Sequence, residues 1–294
     1  KRKLHKHMEY YVDQFVNECF THPFSLEHLE RKPVAVIHCA GTSLVEPSVY
    51  DPAEYYENNV SSTIRLLNHI KNLKKKPTIL FSSSASVYGE PQELPITESH
   101  PLNPISPYGR TKLMIETMLR DYSNAYDINS ICFRYFNAAG AWPGEHDLGA
   151  EVGGTHIIAR ALEASIKGRA FNVFGDDYNT PDGTAVRDYI HVVDLASAHV
   201  KAIDYMQSEK SKEKYQVFNV GTGNGSSVLE VIQSFERTSG EKLNYKIAPR
   251  REGDIAMIYA DAKYTMETIN WSAKYNLDDM TGSAWAWEKK LRGL

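Results

Sequence analysis

The feature that most constrains the fold is an alternation of short apolar runs with longer amphipathic segments. The run "VAVIHCAG" at 34–41 is rich in β-branched residues and ends in small ones, which predicts a buried parallel strand leading into a tight loop. The segment 52–75 has apolar residues three and four positions apart and predicts a helix. "TILFSSSASVYG" at 78–89 predicts the next strand, 108–126 a second helix and "NSICFRYFN" another strand. This alternation predicts an α/β fold with a Rossmann-type, doubly wound parallel sheet.

Beyond about Pro143 the alternation becomes less regular. Loops rich in Gly, Asp and Thr separate helices that the pattern places near 153–167, 192–206, 226–238 and 276–291. We therefore predict two domains: a Rossmann-like region over 1–142 and a smaller α/β region over 143–294 that covers a substrate, with segments interleaved into the first.

Composition argues against several classes of protein. The net charge of -4 over 294 residues gives no electrostatic reason to expect nucleic acid as a partner. The three cysteines, Cys19, Cys39 and Cys132, form no CxxC pair, which argues against a disulfide scaffold or a zinc site and favours a reducing, cytoplasmic setting. No apolar run reaches the roughly 18 residues of a membrane helix, and the N-terminus lacks the apolar region of a signal peptide. We therefore expect neither a membrane nor a metal ion as a partner.

Tyr108 and Lys112 form the first candidate site. On a helix, residues four positions apart share a face, so the pair is either an ordinary helix surface or a group that handles protons. A tyrosine titrates near pH 10 in water, and a neighbouring ammonium favours its phenolate. Ser84 lies in "SSSASVYG", the block that ends the predicted strand 78–89, and should lie near Tyr108 at the carboxyl edge of the sheet, where ligands bind in open α/β folds. A serine, a tyrosine and a lysine are thus predicted to converge.

From about Val34 to its C-terminus the chain resembles the extended short-chain dehydrogenases/reductases, and within them the UDP-glucose 4-epimerases. The blocks that carry this resemblance are "HCAG", "EYYENNV", "SSSASVYG", "SPYGRTKLMIE", "RYFNAAGA", "VFGDDYNTPDGTAVRDYIHVVDLASAH", "FNVGTGNGSSVLEVI" and "APRREGDIAMIYAD". The resemblance implies NAD as cofactor and a UDP-hexose as substrate. It also implies that Tyr108 takes the proton from the sugar's 4-hydroxyl while hydride passes from carbon 4 to the nicotinamide.

The same resemblance assigns roles to residues of this chain. Lys112 would lower the pKa of Tyr108 and hold the nicotinamide ribose, and Ser84 would hydrogen-bond the reacting oxygen. Arginine suits phosphate because its donor fork is planar. The predicted cofactor-binding residues are Ala40, Gly41, Asn59, Ser82, Tyr108, Lys112 and Tyr135, and the predicted substrate-binding residues are Ser84, Asn137, His156, Phe174, Arg187, Arg251, Asp254 and Ile258.

Three positions bear on the reaction and on the substrate of such enzymes. Dehydratases that resemble this chain carry an acidic pair after the strand, whereas this chain has Ala85 and Ser86, so simple oxidation and reduction at carbon 4 is favoured. At Ile258, relatives carry a bulky tyrosine, which excludes N-acetylated hexoses, or a small residue, which admits them. Isoleucine is intermediate and leaves that specificity open.

The glycine-rich loop of a Rossmann domain is not visible in the sequence. The first 33 residues contain no glycine, so the chain is expected to lack the first βαβ unit and, with it, the site for the adenosine half of NAD. "FNVGTGNGSS" at 218–227 offers glycines after a predicted strand, but its third glycine has the wrong spacing, and no acidic residue follows at the expected distance.

The sequence thus predicts an NAD-dependent UDP-hexose 4-epimerase, an isomerase that is expected to form a homodimer as the family does. Two alternatives remain open: a non-catalytic protein that binds UDP-sugars, and a related dehydratase or reductase acting on sugar nucleotides.

Overall fold

The structure is a computed structural model that describes residues 19–20, 29, 32–142, 149, 156–208, 211, 213–251 and 254–294. The chain forms two compact units. The first comprises residues 1–89, 102–133 and 203–217, and the second comprises 90–101, 134–202 and 218–294. The predicted domain boundary after residue 142 stays a prediction, and the glycine-free segment 1–33 lies almost wholly outside the described residues.

Strands and helices alternate through most of the chain. The strands are β1 (Ala35–His38), β2 (Thr78–Ser84), β3 (Ser130–Tyr135), β4 (Asn137–Ala139), β5 (Phe171–Phe174), β6 (Val186–His191), β7 (Tyr215–Val220), β8 (Gly225–Ser227), β9 (Tyr245–Ala248) and β10 (Met257–Ile258). The helices are α1 (Val45–Tyr50), α2 (Pro52–Tyr55), α3 (Ser62–Ile70), α4 (Pro107–Tyr126), α5 (Ile157–Ile166), α6 (Val192–Gln207), α7 (Val228–Ser239), α8 (Lys263–Ile269) and α9 (Leu277–Arg292). The predicted α/β fold with parallel sheets is confirmed.

A four-stranded sheet with the order β1-β2-β3-β7 carries the predicted site. The strands β1 and β2 are parallel, with Ile37 opposite Leu80 and His38 opposite Phe81. The apolar core beside this sheet joins side chains of β2, such as Ile79 and Phe81, to side chains of α3 and α4, such as Leu67 and Leu119. Because β1 and β2 run in the same direction, their carboxyl ends meet at one edge of the sheet.

The helix predicted over 52–75 is interrupted. Residues Tyr56–Ser61 form a π-helical turn between α2 and α3, and the hydroxyl of Ser62 donates to the carbonyl of Glu57 at 3.3 Å. Such turns break the regular spacing and occur frequently at functional sites. The predicted cofactor residue Asn59 lies within this turn.

The helix predicted over 108–126 is α4, and its ends have clear signals. The hydroxyl of Ser106 accepts a hydrogen bond from the amide of Gly109, and Pro107 occupies the first helical turn. Asp127 ends the helix with φ 58°, in the left-handed region. The sequence therefore places the start of the helix, and with it Tyr108, directly after the loop 102–106.

The second unit holds the remaining parallel pairs. A sheet with the order β10-β6-β4 is parallel throughout, and β8 adds antiparallel to β6. A separate parallel pair joins β5 and β9. The helices α7 and α9 both begin with capping boxes, formed by Ser227 with Glu230 and by Asn276 with Asp279. In the part of the chain that the structure describes, no helix has the length and apolar character needed to cross a membrane.

Candidate active site

The loop after β1 is fixed by Asn59. The side-chain amide of this buried asparagine donates to the carbonyl of Thr42 and to the hydroxyl of Thr111, both at 3.0 Å, and its oxygen accepts from the amide of Thr42 at 2.8 Å. Gly41 has φ 153°, and a Cβ atom there would lie 2.8 Å from the Asn59 oxygen. Both amide hydrogens of Asn59 are thus used within the protein, where they position the exposed residues Ala40 and Gly41.

The carboxyl end of β2 presents a run of serines. The hydroxyl of Ser82 donates to the sulfur of Cys39 at 3.1 Å. Ser84 caps a short 3₁₀ turn, Ala85–Val87, where its hydroxyl accepts from the amide of Ser86 at 3.1 Å. The turn leads the chain away from the sheet and leaves Ser84 half-buried at the sheet edge.

Tyr108 reaches this edge because Gly109 lets α4 approach closely. A Cβ atom on Gly109 would lie 2.6 Å from the carbonyl oxygen of Ser86, closer than a carbon atom can approach that oxygen without a clash. Ser84 lies close enough to the hydroxyl of Tyr108 to lower its pKa as a hydrogen-bond partner does, and the backbone amide of Tyr108 donates to the hydroxyl of Ser48 at 3.2 Å. The predicted convergence of serine and tyrosine is therefore present.

Three causes act on the pKa of Tyr108 in this structure, and the expected effect of Lys112 on it stays a prediction. Burial raises the pKa of Tyr108 above its ordinary value of 10.0, the hydrogen bond with Ser84 lowers it, and Tyr55 raises it further. Burial prevails because the phenolate would lose hydration in this pocket. Tyr108 is thus a protonated donor in this state.

Lys112 is buried one turn along α4. Its Nζ donates to the carbonyl oxygen of Ser82 at 2.7 Å and lies 4.8 Å from the ring centroid of Phe81 and 5.6 Å from that of Tyr108. Burial lowers the pKa of Lys112 to about 8, while Cys39 and Glu116 act in the opposite direction. The structure thus brings Ser82, Ser84, Tyr108 and Lys112 together in the first unit.

The predicted phosphate-binding arginines lie in the second unit and share a carboxylate. Arg187 on β6 lies 3.6 Å from one oxygen of Asp254, and Arg251 lies 3.3 Å from the other. The guanidinium of Arg251 also stacks over the ring of Phe174, at 4.4 Å from its centroid. Ile258 is the pairing partner of Arg187 across β10 and β6. Three further predicted substrate residues, Phe174, Asp254 and Ile258, are therefore arranged around Arg187 and Arg251.

The other predicted residues of the second unit are more scattered. Asn137 is half-buried on β4, opposite Tyr189 of β6. His156 is exposed at the N-terminus of α5, where it makes no side-chain capping hydrogen bond. The hydroxyl of Tyr135 lies 2.6 Å from Nε2 of His199. Among the described residues, neither Asn137 nor His156 forms an ion pair with the arginine group.

Sequence reasoning missed Glu116 and Asp188. Glu116 is buried in the first unit and accepts a hydrogen bond from the hydroxyl of Ser83 at 2.5 Å. The signal available for it was its spacing, four residues beyond Lys112 on the same helix face. Asp188 is fully buried beside Arg187, and no local pattern distinguishes it from an exposed acidic residue.

Asp188 explains the glycines of "FNVGTGNGSS". Its carboxylate accepts hydrogen bonds from the amides of Thr222, Gly223 and Ala260 at 2.8, 3.1 and 3.2 Å. A Cβ atom on Gly221 would lie 2.4 Å from this carboxylate. The loop amides therefore bind a side chain of the protein, and the glycines allow that approach. Among the described residues no group of acidic, histidine or cysteine side chains could hold a metal ion.

The parallel sheets and the serine, tyrosine and lysine at a strand's carboxyl end define an enzyme of the extended short-chain dehydrogenase/reductase class. The sequence profile of the family described as GDP-mannose 4,6 dehydratase matches residues 20–283. The UDP-glucose 4-epimerase of Homo sapiens is 43% identical over 266 residues, which cover 87% of this chain and 74% of the human protein. The chain therefore belongs to this family of nucleotide-sugar enzymes and, within it, to the UDP-glucose 4-epimerases.

Solved structures agree with this assignment. The UDP-glucose 4-epimerase from Stenotrophomonas maltophila, with bound NAD and formylated UDP-arabinopyranose, has a TM-score of 0.89 at 36% identity and covers 95% of this chain and 83% of its own. The enzyme from Bifidobacterium longum, in complex with NAD+ and UDP, has a TM-score of 0.81 at 44% identity and covers 90% of this chain and 80% of its own.

Proposed function

We propose that this protein is an NAD-dependent UDP-glucose 4-epimerase, which interconverts UDP-glucose and UDP-galactose by transient oxidation at carbon 4 of the sugar. The observation that carries the proposal is the arrangement of Ser84, Tyr108 and Lys112 at the carboxyl end of β2. Relatives at 42–43% identity with the same activity support it.

The residues of the first unit fit the nicotinamide half of NAD. Within the described residues, the ammonium of Lys112 donates one of its three hydrogens, to the carbonyl of Ser82, so two remain for the hydroxyls of a ribose. The backbone of Ala40 and Gly41 is exposed beside it, and Asn59 holds that backbone in place. NAD bound here would supply reversible hydride chemistry at carbon 4.

Proton transfer falls to Tyr108. In its phenolate form Tyr108 would accept the proton of the sugar's 4-hydroxyl during oxidation and return it when the keto sugar is reduced, while the hydroxyl of Ser84 hydrogen-bonds the sugar's reacting oxygen. The ammonium of Lys112 stabilises negative charge that develops on the tyrosine oxygen. Ala85 and Ser86 provide no carboxyl group for elimination of water, which favours epimerisation over dehydration.

The second unit binds the nucleotide in this proposal. Arg187 and Arg251 neutralise the diphosphate, and Asp254 holds both guanidinium groups in place before the nucleotide arrives. Phe174 packs against the uracil, Asn137 and His156 contact the sugar nucleotide, and Tyr135 contributes to the cofactor site. Ile258 contributes to the size of the hexose pocket. A homodimer in the cytoplasm completes the proposal. Among the described residues Cys39 and Cys132 form no disulfide, which accords with a reducing compartment.

The test is an NMR time course of UDP-galactose with the purified protein and added NAD. We expect UDP-glucose to appear without net accumulation of NADH, and Tyr108→Phe to slow the conversion by about 10²- to 10⁴-fold. Conversion that persists at the wild-type rate in Tyr108→Phe would contradict the role of Tyr108. No conversion by the wild-type protein, with UDP binding retained in calorimetry, would favour the non-catalytic alternative.

A further inference from the structure

Three consecutive serines of β2 contact three residues of α4 that are spaced four positions apart. The pairs are Ser84 with the hydroxyl of Tyr108, the carbonyl of Ser82 with Nζ of Lys112 at 2.7 Å, and the hydroxyl of Ser83 with Oε1 of Glu116 at 2.5 Å. The first two pairs contain the residues of the proposed reaction. The third pair lies one turn further along the same helix and has no role in that reaction so far.

The Ser83 and Glu116 pair stands inside an apolar interface. Side chains alternate along a strand, so Ser83 faces the same side of the sheet as Ile79 and Phe81, which pack in the core with Ile115 and Leu119 of α4. Glu116 is only 2% exposed. A buried polar or charged pair at such a place generally stabilises a fold less than apolar side chains of the same volume. Its presence is therefore better explained by its effect on neighbouring groups than by stability.

The neighbouring group is the ammonium of Lys112. Lys112 is 6% exposed, and burial disfavours a charged amine. The carboxylate of Glu116, one turn away, opposes the fall in the pKa of Lys112 that burial causes, as does Cys39. Without this negative charge the amine would lose its proton at a lower pH.

We propose that Glu116 is a positioning residue of this active site: its hydrogen bond with Ser83 sets the register of α4 on β2, and its charge keeps Lys112 an ammonium beside Tyr108. This inference rests on the proposed function. It separates into a geometric part, which depends on the hydrogen bond, and an electrostatic part, which depends on the charge.

Glu116→Gln and Glu116→Asp separate the two parts. Glutamine keeps an oxygen acceptor for Ser83 but loses the charge. We expect Glu116→Gln to have a rate close to wild type at pH 6 and to be at least about threefold slower at pH 8, because the high-pH decline in kcat moves to lower pH. Aspartate keeps the negative charge, but its shorter side chain draws the carboxylate away from Ser83. We therefore expect kcat of Glu116→Asp to fall, while the pH at which kcat declines stays that of wild type. KM for the UDP-sugar should be unchanged in both.

The matched control is Asp121→Asn, an exposed carboxylate on the same helix, which should leave the profile unchanged. Superimposable pH profiles of kcat for wild type and Glu116→Gln would overturn the electrostatic part. A kcat for Glu116→Asp equal to that of wild type would overturn the geometric part. Ser83→Ala, which removes only the hydrogen bond, should lower kcat without moving the decline, and it provides a second test if Glu116→Gln fails to fold.

Competitive labelling of Lys112 with acetic anhydride across a pH series, read by mass spectrometry, measures the pKa of the lysine without any turnover. A lower pKa in Glu116→Gln than in wild type supports the proposal, and equal values overturn its electrostatic part. If the wild-type protein shows no epimerisation, the proposed function fails on its own, and this labelling result still decides the effect of Glu116 on Lys112.

Discussion

At the scale of a single residue, the buried hydroxyl of Tyr178 affects the stability of the second unit. Its side chain is 5% exposed, and its hydroxyl has no hydrogen-bond partner among the described residues. The guanidinium of Arg250 stacks on its ring, at 4.1 Å from the centroid, while Arg250 is held by Asp177 at 2.7 Å. Within the part of the chain that the structure describes, the ring is therefore well packed and the hydroxyl unsatisfied, a combination that destabilises a fold.

We expect Tyr178→Phe to stabilise the ligand-free protein by about 1 kcal/mol, because it removes a buried unsatisfied group and keeps the ring and its stacking. The measurement is the free energy of unfolding in urea at pH 7. Tyr245→Phe removes an exposed hydroxyl of β9 and should change that free energy by less than about 0.5 kcal/mol. A loss of stability in Tyr178→Phe would show that the hydroxyl makes a favourable interaction.

At the scale of elements, the contact between α4 and the turn Ala85–Val87 decides whether the site forms. Gly109 lies at this contact. Its φ is not in the left-handed region, so a larger residue is excluded here by the neighbouring atoms and not by backbone conformation. The carbonyl of Ser86 and the side chain of Pro104 would lie 2.6 and 3.0 Å from an added Cβ atom. Backbone must therefore move before any side chain fits.

We expect Gly109→Ala to displace the start of α4 from Ser84, with a fall in kcat of at least about tenfold and a lower thermal midpoint. Alanine is otherwise favoured over glycine inside helices by about 1 kcal/mol. The matched control is Gly282→Ala in α9, where the nearest atom to the added Cβ would be 3.5 Å away, and which should be neutral or stabilising. Wild-type kcat in Gly109→Ala would contradict the proposed role of this contact.

At the scale of the whole molecule, a buried histidine contributes to the dependence of stability on pH. His38 lies between the rings of Phe20 and Phe81, at 5.3 and 5.6 Å between centroids, and its Nε2 is 2.9 Å from the hydroxyl of Thr63. Burial, and secondly the charge of Lys112, lower the pKa of His38 from 6.5 to about 4. Between these values the unfolded chain binds a proton that the folded chain does not.

Acidification should therefore destabilise the protein as the pH falls from 6.5 towards 4, and His38 should account for up to about 3 kcal/mol of the loss. His38→Gln removes this titration. We expect the stability difference between wild type and variant to favour wild type at pH 7 and to shrink at pH 5, as measured by urea unfolding at both values. If wild type and His38→Gln differ in stability by the same amount at pH 5 as at pH 7, His38 does not titrate in this range.

The two units should respond to different ligands. Under the proposed function, UDP contacts Arg187, Arg251 and Phe174, whereas NAD contacts residues 40–41, 59, 82, 108 and 112 of the first unit, with Tyr135 as its one predicted contact in the second. We expect saturating UDP to slow hydrogen exchange in 171–187 and 254–260, and NAD to slow it in the segments of the first unit. At a hundred times the dissociation constant, protection in segments that open only without ligand approaches about 100-fold. UDP protection confined to the first unit would contradict the assignment of the arginines.

The sequence by itself determined the class of fold and the three central residues of the candidate site. Apolar β-branched runs that alternate with amphipathic segments allow few arrangements other than a parallel sheet covered by helices. The bounds of α4, α6 and α9 lie within one residue of those that the pattern predicts, because caps and periodicity are local. The spacing of Tyr108 and Lys112 is also local, so the sequence was sufficient to place them on one helix face.

Only the tertiary structure decided the groups that hold these residues in place. Asn59, in the π-helical turn, donates a hydrogen bond to Thr111, 52 positions away. The carboxylate of Glu116 accepts its hydrogen bond from Ser83, 33 positions away, and that of Asp188 accepts one from the amide of Ala260, 72 positions away. A buried carboxylate and an exposed one look alike in sequence, because burial is created only when distant segments pack together. The partners of a buried charge, and hence its effect on a neighbouring pKa, follow from that packing and not from local pattern.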